Sequence, residues 1–339
     1  MTESRHAHPE PPHLDRRGFV RRAAVGAAAV AAGSFAWPAH GLVDPIGLGG
    51  RAAPGRRTFE PWARLERIGE DVWAAISTPL ADHPDARRTV CNGGLVAGRE
   101  GVLAVEGFGS VEGAAWLARE AVRLTGRAPT HVVLTHYHGD HTTGTAGYLL
   151  SGRRPEVIAT ATTRRLIAEQ EAAHPADRGE ARPVLLPDVV IPDDGEPVVL
   201  DLGGRDVRLV ARRGHTPSDL VVEVGHIVFP GDLVWNGMFP NYVDAIPSRL
   251  AMHVRHIRDL GAERYVSGHG ELADGQDLDR YISLLEHVEA AARKALASGR
   301  ALEDAAEAYA VPDTLGEWYL FSPRYPLVAF TAWQRELGG

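Results

Sequence analysis

Residues 135–144 read THYHGDHTTG, so three histidines and one aspartate fall within six consecutive positions. The stretch follows the apolar run HVVL, which predicts a buried strand. His136 and His138 are two residues apart, so in an extended segment their side chains point to the same face. Asp140 and His141 follow a glycine, which permits a sharp turn. Clustered imidazoles and carboxylates favour a divalent transition metal.

The cluster holds more donors than one ion accommodates easily. Four ligands from six residues crowd a single metal, so the arrangement favours two neighbouring ions. We expect His136 and His138 at one ion, and Asp140 and His141 at the other.

Three further segments supply candidate ligands in comparable places. His215 lies in GHTPSD, Asp232 in FPGDLV and His269 in SGHGE, and each follows an apolar run typical of a strand. Because the ends of strands meet at one edge of a sheet in layered folds, we expect these side chains to join the first cluster.

Strand-like and helix-like patterns occur in mixed order along the chain. Strands are predicted in residues 94–106, 131–135, 198–212, 220–230 and 264–267. Helices are predicted over 110–126 and 248–261, and from 276 onward. This mixture indicates an α/β domain built of layers.

The first forty residues have the composition of an export signal. DRRGFVRR at 15–22 precedes an alanine-rich apolar stretch that is too short to cross a bilayer. The adjacent Arg16 and Arg17 resemble the twin-arginine type of signal. We therefore expect residues 1–40 to be a signal peptide, and the protein to be periplasmic or secreted, without stable membrane insertion after cleavage.

The rest of the chain divides into three parts. Residues 41–58 are rich in glycine, proline and arginine and are interpreted as a linker. Residues 59–275 contain every candidate ligand and are interpreted as the core domain. Residues 276–339 are predicted to form a C-terminal helical extension.

Composition excludes several kinds of chemistry. The formal net charge is -8, which argues against a nucleic-acid partner and leaves a small molecule as the expected substrate. Lys294 is the only lysine, which makes Schiff-base catalysis improbable. Cys91 is the only cysteine, so an intrachain disulfide is impossible, and we interpret this residue as part of the core.

The order H-x-H-x-D-H, GHT, GD and GHG, each after a strand, resembles the metallo-β-lactamase superfamily over roughly residues 60–275. The resemblance implies an α/β fold, an αββα sandwich that here carries the helical extension. It also implies a dinuclear site. One ion would be held by His136, His138 and His215, and the other by Asp140, His141 and His269, with Asp232 bridging the two.

Particular positions refine this resemblance. Asp232 stands where one β-lactamase subclass has cysteine, which favours members similar to hydroxyacylglutathione hydrolases and lactonases. Glu106 stands where the strand before the first helix usually ends in aspartate, and Ser218 where a glycine usually follows GHTP. The tail is similar to that of exported quinoprotein-associated zinc metallohydrolases. Nearby acids, Glu106 included, are candidate acceptors for the outer nitrogens of the ligand histidines.

The resemblance implies a hydrolase with two Zn²⁺ ions, with iron or manganese as alternatives. A hydroxide between the metals would attack an ester, lactone, thioester or amide, with Asp140 and Asp232 in catalytic roles. One alternative is an iron-dependent oxidoreductase similar to persulfide dioxygenases. A second alternative is an exported metal-binding protein without catalytic activity.

The segment after Asp232 carries candidate pocket residues. Trp235, Asn236, Phe239 and Tyr242 would either wall the substrate pocket or serve as packing residues. The sequence favours neither interpretation over the other.

Overall fold

The structure is a computed structural model that describes residues 13–14, 58–79, 81, 85, 87–173 and 184–338. Almost all of the expected signal peptide and linker lie outside the described residues. Residues 13 and 14 form a two-residue strand, β1 (His13–Leu14), which pairs in parallel with a strand of the core domain.

Two sheets form the centre of the molecule. The eight-stranded sheet has the order β2-β3-β4-β5-β6-β7-β8-β9. Its strands are β2 (Thr58–Phe59), β3 (Ala63–Gly69), β4 (Val72–Ser77), β5 (Gly93–Ala97), β6 (Val102–Val105), β7 (His131–Val133), β8 (Glu156–Thr160) and β9 (Val189–Ile191). The first five of these strands pair antiparallel, and β6 to β9 pair in parallel.

The six-stranded sheet has the order β1-β10-β11-β12-β13-β14. Its remaining strands are β10 (Val198–Asp201), β11 (Asp206–Arg212), β12 (Asp219–Val224), β13 (Ile227–Asn236) and β14 (Arg264–Gly270). The strands from β10 to β13 form an antiparallel meander, and β14 pairs in parallel with β13.

Helices cover the outer face of each sheet. The helices are α1 (Val111–Thr125), α2 (Gly139–Thr142), α3 (Ala161–Ala173), α4 (Pro247–Asp259), α5 (Gly275–Ser298), α6 (Leu302–Glu307) and α7 (Tyr325–Gly338). Two short 3₁₀ helices span Thr145–Ser151 and Asp313–Leu315. The fold is therefore the expected αββα sandwich with a C-terminal helical part.

The alternation of side chains along the strands creates three apolar layers. In β6, Val102 and Ala104 pack in the cluster under α1, whereas Leu103 and Val105 pack in the cluster between the two sheets. A third cluster joins β13 to α4, α5 and α7. Since successive strand residues point to opposite faces, a strand covered on both sides must be apolar throughout.

Helix α1 forms as the sequence predicts. Ser110 accepts a hydrogen bond from the Gly113 backbone N–H, and Gly126 ends the helix with a φ of 73°. Such an N-cap contributes about 1 kcal/mol to helix stability, and the left-handed end favours glycine. The predicted apolar face is buried against β5 and β6.

The C-terminal helices build one outer layer. The apolar positions of α5 that share a helical face are buried, including Leu278, Leu285 and Val288. Phe330 and Trp333 of α7 pack into the same cluster. Among the described residues, none of the helices combines the length and the apolarity needed to cross a membrane.

Strands β13 and β14 extend further than the sequence predicts. The prediction ended these strands at residues 230 and 267, but β13 continues to Asn236 and β14 to Gly270. The pairing of the two strands shifts register on either side of Gly231, whose φ is 55°. A Pro-Gly pair usually marks the end of a strand, but here an irregularity lets the strand continue. Asp232 therefore lies inside a buried strand rather than at its end.

Candidate metal centre

The seven candidate donors come together at one edge of the sandwich, and they come from both sheets. Four of them follow β7 in the eight-stranded sheet, where the short helix α2 carries Asp140 and His141. His215 lies in the turn between β11 and β12 of the six-stranded sheet, Asp232 lies in β13 and His269 in β14. The two halves of the sandwich therefore contribute separately to one cluster.

The donor atoms fall into two adjoining groups, each with its atoms within 4.8 Å of one another. One group is His136, His138, His215 and Asp232, and the other is Asp140, His141 and His269. The structure thus brings together every residue that the sequence analysis singled out as a ligand.

Asp232 lies between the two groups. Its Oδ2 is 3.3 Å from Nε2 of His215, in the first group. Its Oδ1 is 3.1 Å from Nε2 of His141, in the second group. Oδ2 is also 3.4 Å from Nε2 of His269. One carboxylate therefore contacts both groups: Oδ2 lies next to a histidine of each, and Oδ1 lies next to His141 of the second.

The cluster is buried but opens on one side. The side chains of His136, His141 and His215 are fully buried, whereas 32% of the Asp140 side chain and 16% of the His138 side chain are exposed. The exposed part of the cluster therefore lies at Asp140 and His138.

The donor chemistry of the cluster fits a divalent cation. The buried Nε2 of His136 has no hydrogen-bond partner among the described residues, and Oδ2 of Asp232, at 3.9 Å, is too distant to be one. Burial lowers the pKa of His215 to about 3, so its imidazole is neutral and able to ligate. Burial also lowers the pKa of His269, but Asp232 and Asp140 outweigh it and raise the value to about 9, which reflects strong stabilisation of positive charge.

The family model for the metallo-beta-lactamase superfamily matches residues 86–269, more than half of the 339 residues. The chain belongs to the metallo-beta-lactamase superfamily. Members of this superfamily are mostly metal-dependent hydrolases, and all seven candidate ligands lie within the matched region, which ends at His269. No curated protein matches the chain significantly.

Solved structures share the fold. A metallo-beta-lactamase from Pontibacter korlensis is 22% identical, with a TM-score of 0.54, and the alignment covers 66% of this chain and 99% of that one. A metallo-beta-lactamase from Erythrobacter litoralis is 19% identical, with a TM-score of 0.53, covering 68% of this chain and 100% of that one. A double mutant of the sec-alkyl sulfatase PisA1 is 14% identical, with a TM-score of 0.63, covering 81% of this chain and 50% of that one.

Glu106, which departs from the usual superfamily residue, supports two ligand histidines. Its Oε1 is 3.1 Å from Nδ1 of His141. It also accepts hydrogen bonds from the backbone N–H and the hydroxyl of Thr135, and that hydroxyl is 3.0 Å from Nδ1 of His136. Glu106 has a φ of 77°, a conformation that non-glycine residues rarely adopt outside functional sites. Glu106 therefore lies next to His141 directly and is linked to His136 through the Thr135 hydroxyl.

Asp219 holds the turn that carries His215, a role that the sequence analysis missed. Its carboxylate accepts hydrogen bonds from the backbone N–H groups of His215 and Thr216 and from the Thr216 hydroxyl. Burial raises the pKa of Asp219 to about 7. The acid four residues after the histidine of GHTPSD was a detectable signal, because aspartates often bond to backbone N–H groups in turns.

Ser218, the second departure from the superfamily pattern, is accommodated by polar partners. Its hydroxyl donates to Oδ1 of Asp193 over 2.6 Å and shares a 2.6 Å hydrogen bond with the Thr160 hydroxyl. A buried hydroxyl with two partners carries no desolvation penalty from an unmade bond. The serine therefore ties the His215 turn to the end of β8.

The candidate pocket residues divide into two kinds. Trp235 lies at the cluster, where its ring centroid is 4.1 Å from that of His269. The Asn236 side chain donates to the Leu272 carbonyl. Phe239 and Tyr242 are buried in the apolar layer under α5 and α7, which makes them packing residues. Only Trp235 of the four therefore lies against a ligand histidine.

Two aromatic residues of the C-terminal part approach the cluster and were not foreseen. The Phe321 ring centroid is 5.9 Å from that of His269, and the Tyr325 centroid is 6.4 Å from that of Trp235. Burial raises the pKa of Tyr325, and the negative charges of Asp140 and Asp232 raise it further, so its hydroxyl keeps its proton. The helical extension therefore borders the metal centre.

Asp244 also contacts the cluster and was not predicted. It lies in the loop between β13 and α4, where its Oδ2 is 2.9 Å from Nε2 of His138 and accepts a hydrogen bond from the Tyr137 hydroxyl. Burial raises the pKa of Asp244, but the bonds with His138 and Tyr137 outweigh it and hold the value at about 2. Its carboxylate is therefore ionised at neutral pH. No periodic pattern marks this loop position.

Proposed function

We propose that the chain is a dinuclear metal-dependent hydrolase, with zinc as its metal, that acts on an ester, lactone, thioester or amide. The observation that carries this proposal is the position of Asp232. One oxygen faces His141 and the other faces His215, which is the placement that a carboxylate shared by two ions requires.

The histidines and Asp140 would be divided between the two ions as ligands. His136, His138 and His215 would hold one ion, and Asp140, His141 and His269 the other. Two bound divalent ions supply a hydroxide at neutral pH and an electrophile for the substrate oxygen. The protein supplies neutral imidazoles, a fixed spacing and a buried, low-dielectric surrounding.

Asp140 has the properties of a proton-transfer group. It is the most exposed of the seven donors, and its Oδ2 is 3.2 Å from Nε2 of His269. A carboxylate at the solvent-facing side of the cluster both orients the attacking water and passes its proton toward the leaving group. Asp232, which is 3% exposed, lacks this access and would act by spacing the ions.

The substrate would enter past an aromatic rim formed by Phe321 and Tyr325, with the buried Trp235 beside Tyr325 and His269. These rings lie around His269 on the side of the C-terminal part. Aromatic walls provide apolar contact and shape, whereas the ions and Asp140 act on the polar reacting group. The rim therefore supports a substrate with an apolar or aromatic portion next to the cleaved bond.

The test is a hydrolysis screen with purified protein of measured zinc, iron and manganese content. The panel contains aryl esters, lactones, thioesters and β-lactams. Alkyl sulfates are included because one structural neighbour is a sec-alkyl sulfatase. We expect turnover of at least one class that is lost on chelation and restored by Zn²⁺. Asp140→Asn is expected to lower kcat by about 10²–10⁴-fold, since it removes a general base. Because Asp140 would also hold the second ion, the metal content of this variant is measured alongside.

Two results would replace this proposal. The first result is a protein that contains iron, consumes oxygen with a persulfide substrate and hydrolyses nothing in the panel. This result would establish an oxidoreductase. Full metal content with no turnover on any member of the panel would favour a metal-binding protein without catalysis.

A further inference from the structure

Asp244 contacts the metal centre from outside the ligand set. Its Oδ2 is 2.9 Å from Nε2 of His138, although the two residues are 106 positions apart in the chain. The same oxygen accepts the hydrogen of the Tyr137 hydroxyl. Since this oxygen already accepts the Tyr137 hydroxyl hydrogen, it faces the imidazole as an acceptor. Nε2 of His138 must therefore carry a hydrogen and donate it.

That donation determines which nitrogen of His138 can ligate. A neutral imidazole with its hydrogen on Nε2 has a free electron pair on Nδ1. Nδ1 of His138 lies 3.1 Å from Nε2 of His215, a buried histidine of the same group. The ring is therefore held with its free electron pair toward the group's other ligands and its hydrogen toward the loop.

Asp244 differs from the other supports of the ligand histidines. Glu106 lies beside His141 directly after β6, where it is 2% exposed and has a positive φ, so its replacement would disturb the core. Asp244 is 30% exposed and lies in a loop. Replacing it changes the orientation of one imidazole while leaving the apolar layers intact.

We propose that Asp244 is a positioning residue: together with Tyr137 it fixes the tautomer and orientation of His138, and thereby sets the affinity of the ion at the His136–His138–His215 group. The inference rests on the proposed function, because it assumes that this group binds a metal. A hydrogen-bonded carboxylate of this kind typically contributes 10- to 100-fold in metal affinity.

The experiment combines metal titration with spectroscopy of the imidazoles. Zn²⁺ affinity is measured by competition with a chromophoric chelator for the wild type, Asp244→Asn, Asp244→Ala and Tyr137→Phe. We expect Asp244→Ala to weaken one of two binding events 10- to 100-fold and to leave the other unchanged. Asp244→Asn retains a neutral acceptor, and Tyr137→Phe retains the carboxylate. Both variants should therefore lose less Zn²⁺ affinity than Asp244→Ala.

A matched control is Asp279→Asn. This aspartate is also exposed and paired, in its case with Arg258, but it lies on α5 away from the cluster. The Asp279→Asn variant should bind both ions with wild-type affinity. Wild-type affinity for both ions in Asp244→Ala would overturn the inference.

Imidazole ¹⁵N chemical shifts of the metal-free protein separate this inference from the proposed function. The wild type should show His138 protonated at Nε2, and Asp244→Ala should show a mixture of tautomers. If the wild type binds no metal, the proposed function fails, and the ¹⁵N shifts alone still decide whether Asp244 fixes the imidazole. An unchanged tautomer in Asp244→Ala would contradict the inference in either case.

Discussion

Asp232 combines three properties in one side chain: it is 3% exposed, it lies inside a strand and it faces both groups of donors. Replacement by alanine removes the one carboxylate that the two groups share. We expect Asp232→Ala to lose both ions and all activity together. Metal analysis alongside the hydrolysis assay tests this. Full occupancy with no activity would instead make Asp232 a proton-transfer residue.

The position of Asp232 depends on the absence of a side chain at Gly268. A Cβ at residue 268 would lie 1.9 Å from Oδ1 of Asp232 and 2.8 Å from the backbone of Gly231, and the second contact cannot relax easily. We expect Gly268→Ala to displace the carboxylate and reduce metal content to less than half. Gly338→Ala, at a position with open space, is the control and should bind metal normally. Normal metal content in Gly268→Ala would show that the strands can separate locally.

The ligands themselves could be predicted from sequence, whereas their supports largely could not. Each ligand lies within a short glycine-containing motif after an apolar run, so local pattern and residue type were sufficient. Asp244 contacts His138 only because the fold brings the loop between β13 and α4 next to a residue 106 positions earlier in the chain. Nothing local distinguishes its carboxylate from that of a solvated surface aspartate.

At the scale of elements, the limits of prediction lie where tertiary contacts override a local signal. The helical pattern over residues 110–126 was sufficient to place α1, which Ser110 and Gly126 cap in the structure. Strand β13 was ended too early, because Pro230 and Gly231 have the composition of a turn. The positive φ of Gly231 and the shifted pairing with β14 allow the strand to continue. Contact between strands that are distant in sequence decided that outcome.

The segment leading into α7 borders the candidate metal centre. Phe321 and Tyr325 contact His269 and Trp235 through ring faces and edges. Aromatic contacts of this kind contribute about 0.5–1.5 kcal/mol each. We expect Phe321→Ala and Tyr325→Ala to raise KM roughly two- to tenfold for aromatic substrates, with kcat and metal content nearly unchanged.

A matched variant isolates the contribution of the ring. Tyr325→Phe keeps the aromatic face and removes only the hydroxyl, so its KM should stay close to that of the wild type. If all these variants had the KM of the wild type, the substrate would bind on another side of the cluster. A large fall in kcat for Tyr325→Phe would instead give the hydroxyl a direct role in the reaction.

For the whole molecule, we propose export by the twin-arginine route. Arg16 and Arg17 precede an apolar stretch, and the single Cys91 means that no intrachain disulfide can form outside the cytoplasm. This route carries proteins that are already folded, and a His/Asp cluster does not select its metal by affinity alone. Folding before export would let the cytoplasm determine which ions enter.

Replacing both Arg16 and Arg17 by lysine tests the route. We expect folded, metal-loaded protein to accumulate inside a bacterial host, because lysines do not replace the paired arginines of this signal. Fractionation followed by metal analysis of each compartment measures the outcome. Normal amounts of the double variant in the periplasm would contradict the assigned route.

The division of the seven donors between the two sheets has a mechanical consequence. The apolar layer between the sheets resists separation, but it offers little directional resistance to sliding, since apolar contacts are not oriented. Ions bound by residues of both sheets would cross-link the sheets at one edge. The cross-links would oppose sliding of one sheet over the other. Under force applied through its ends, the zinc-loaded chain should rupture in one step at high load. The chelated chain should yield in two smaller steps, which optical-tweezer extension curves would resolve.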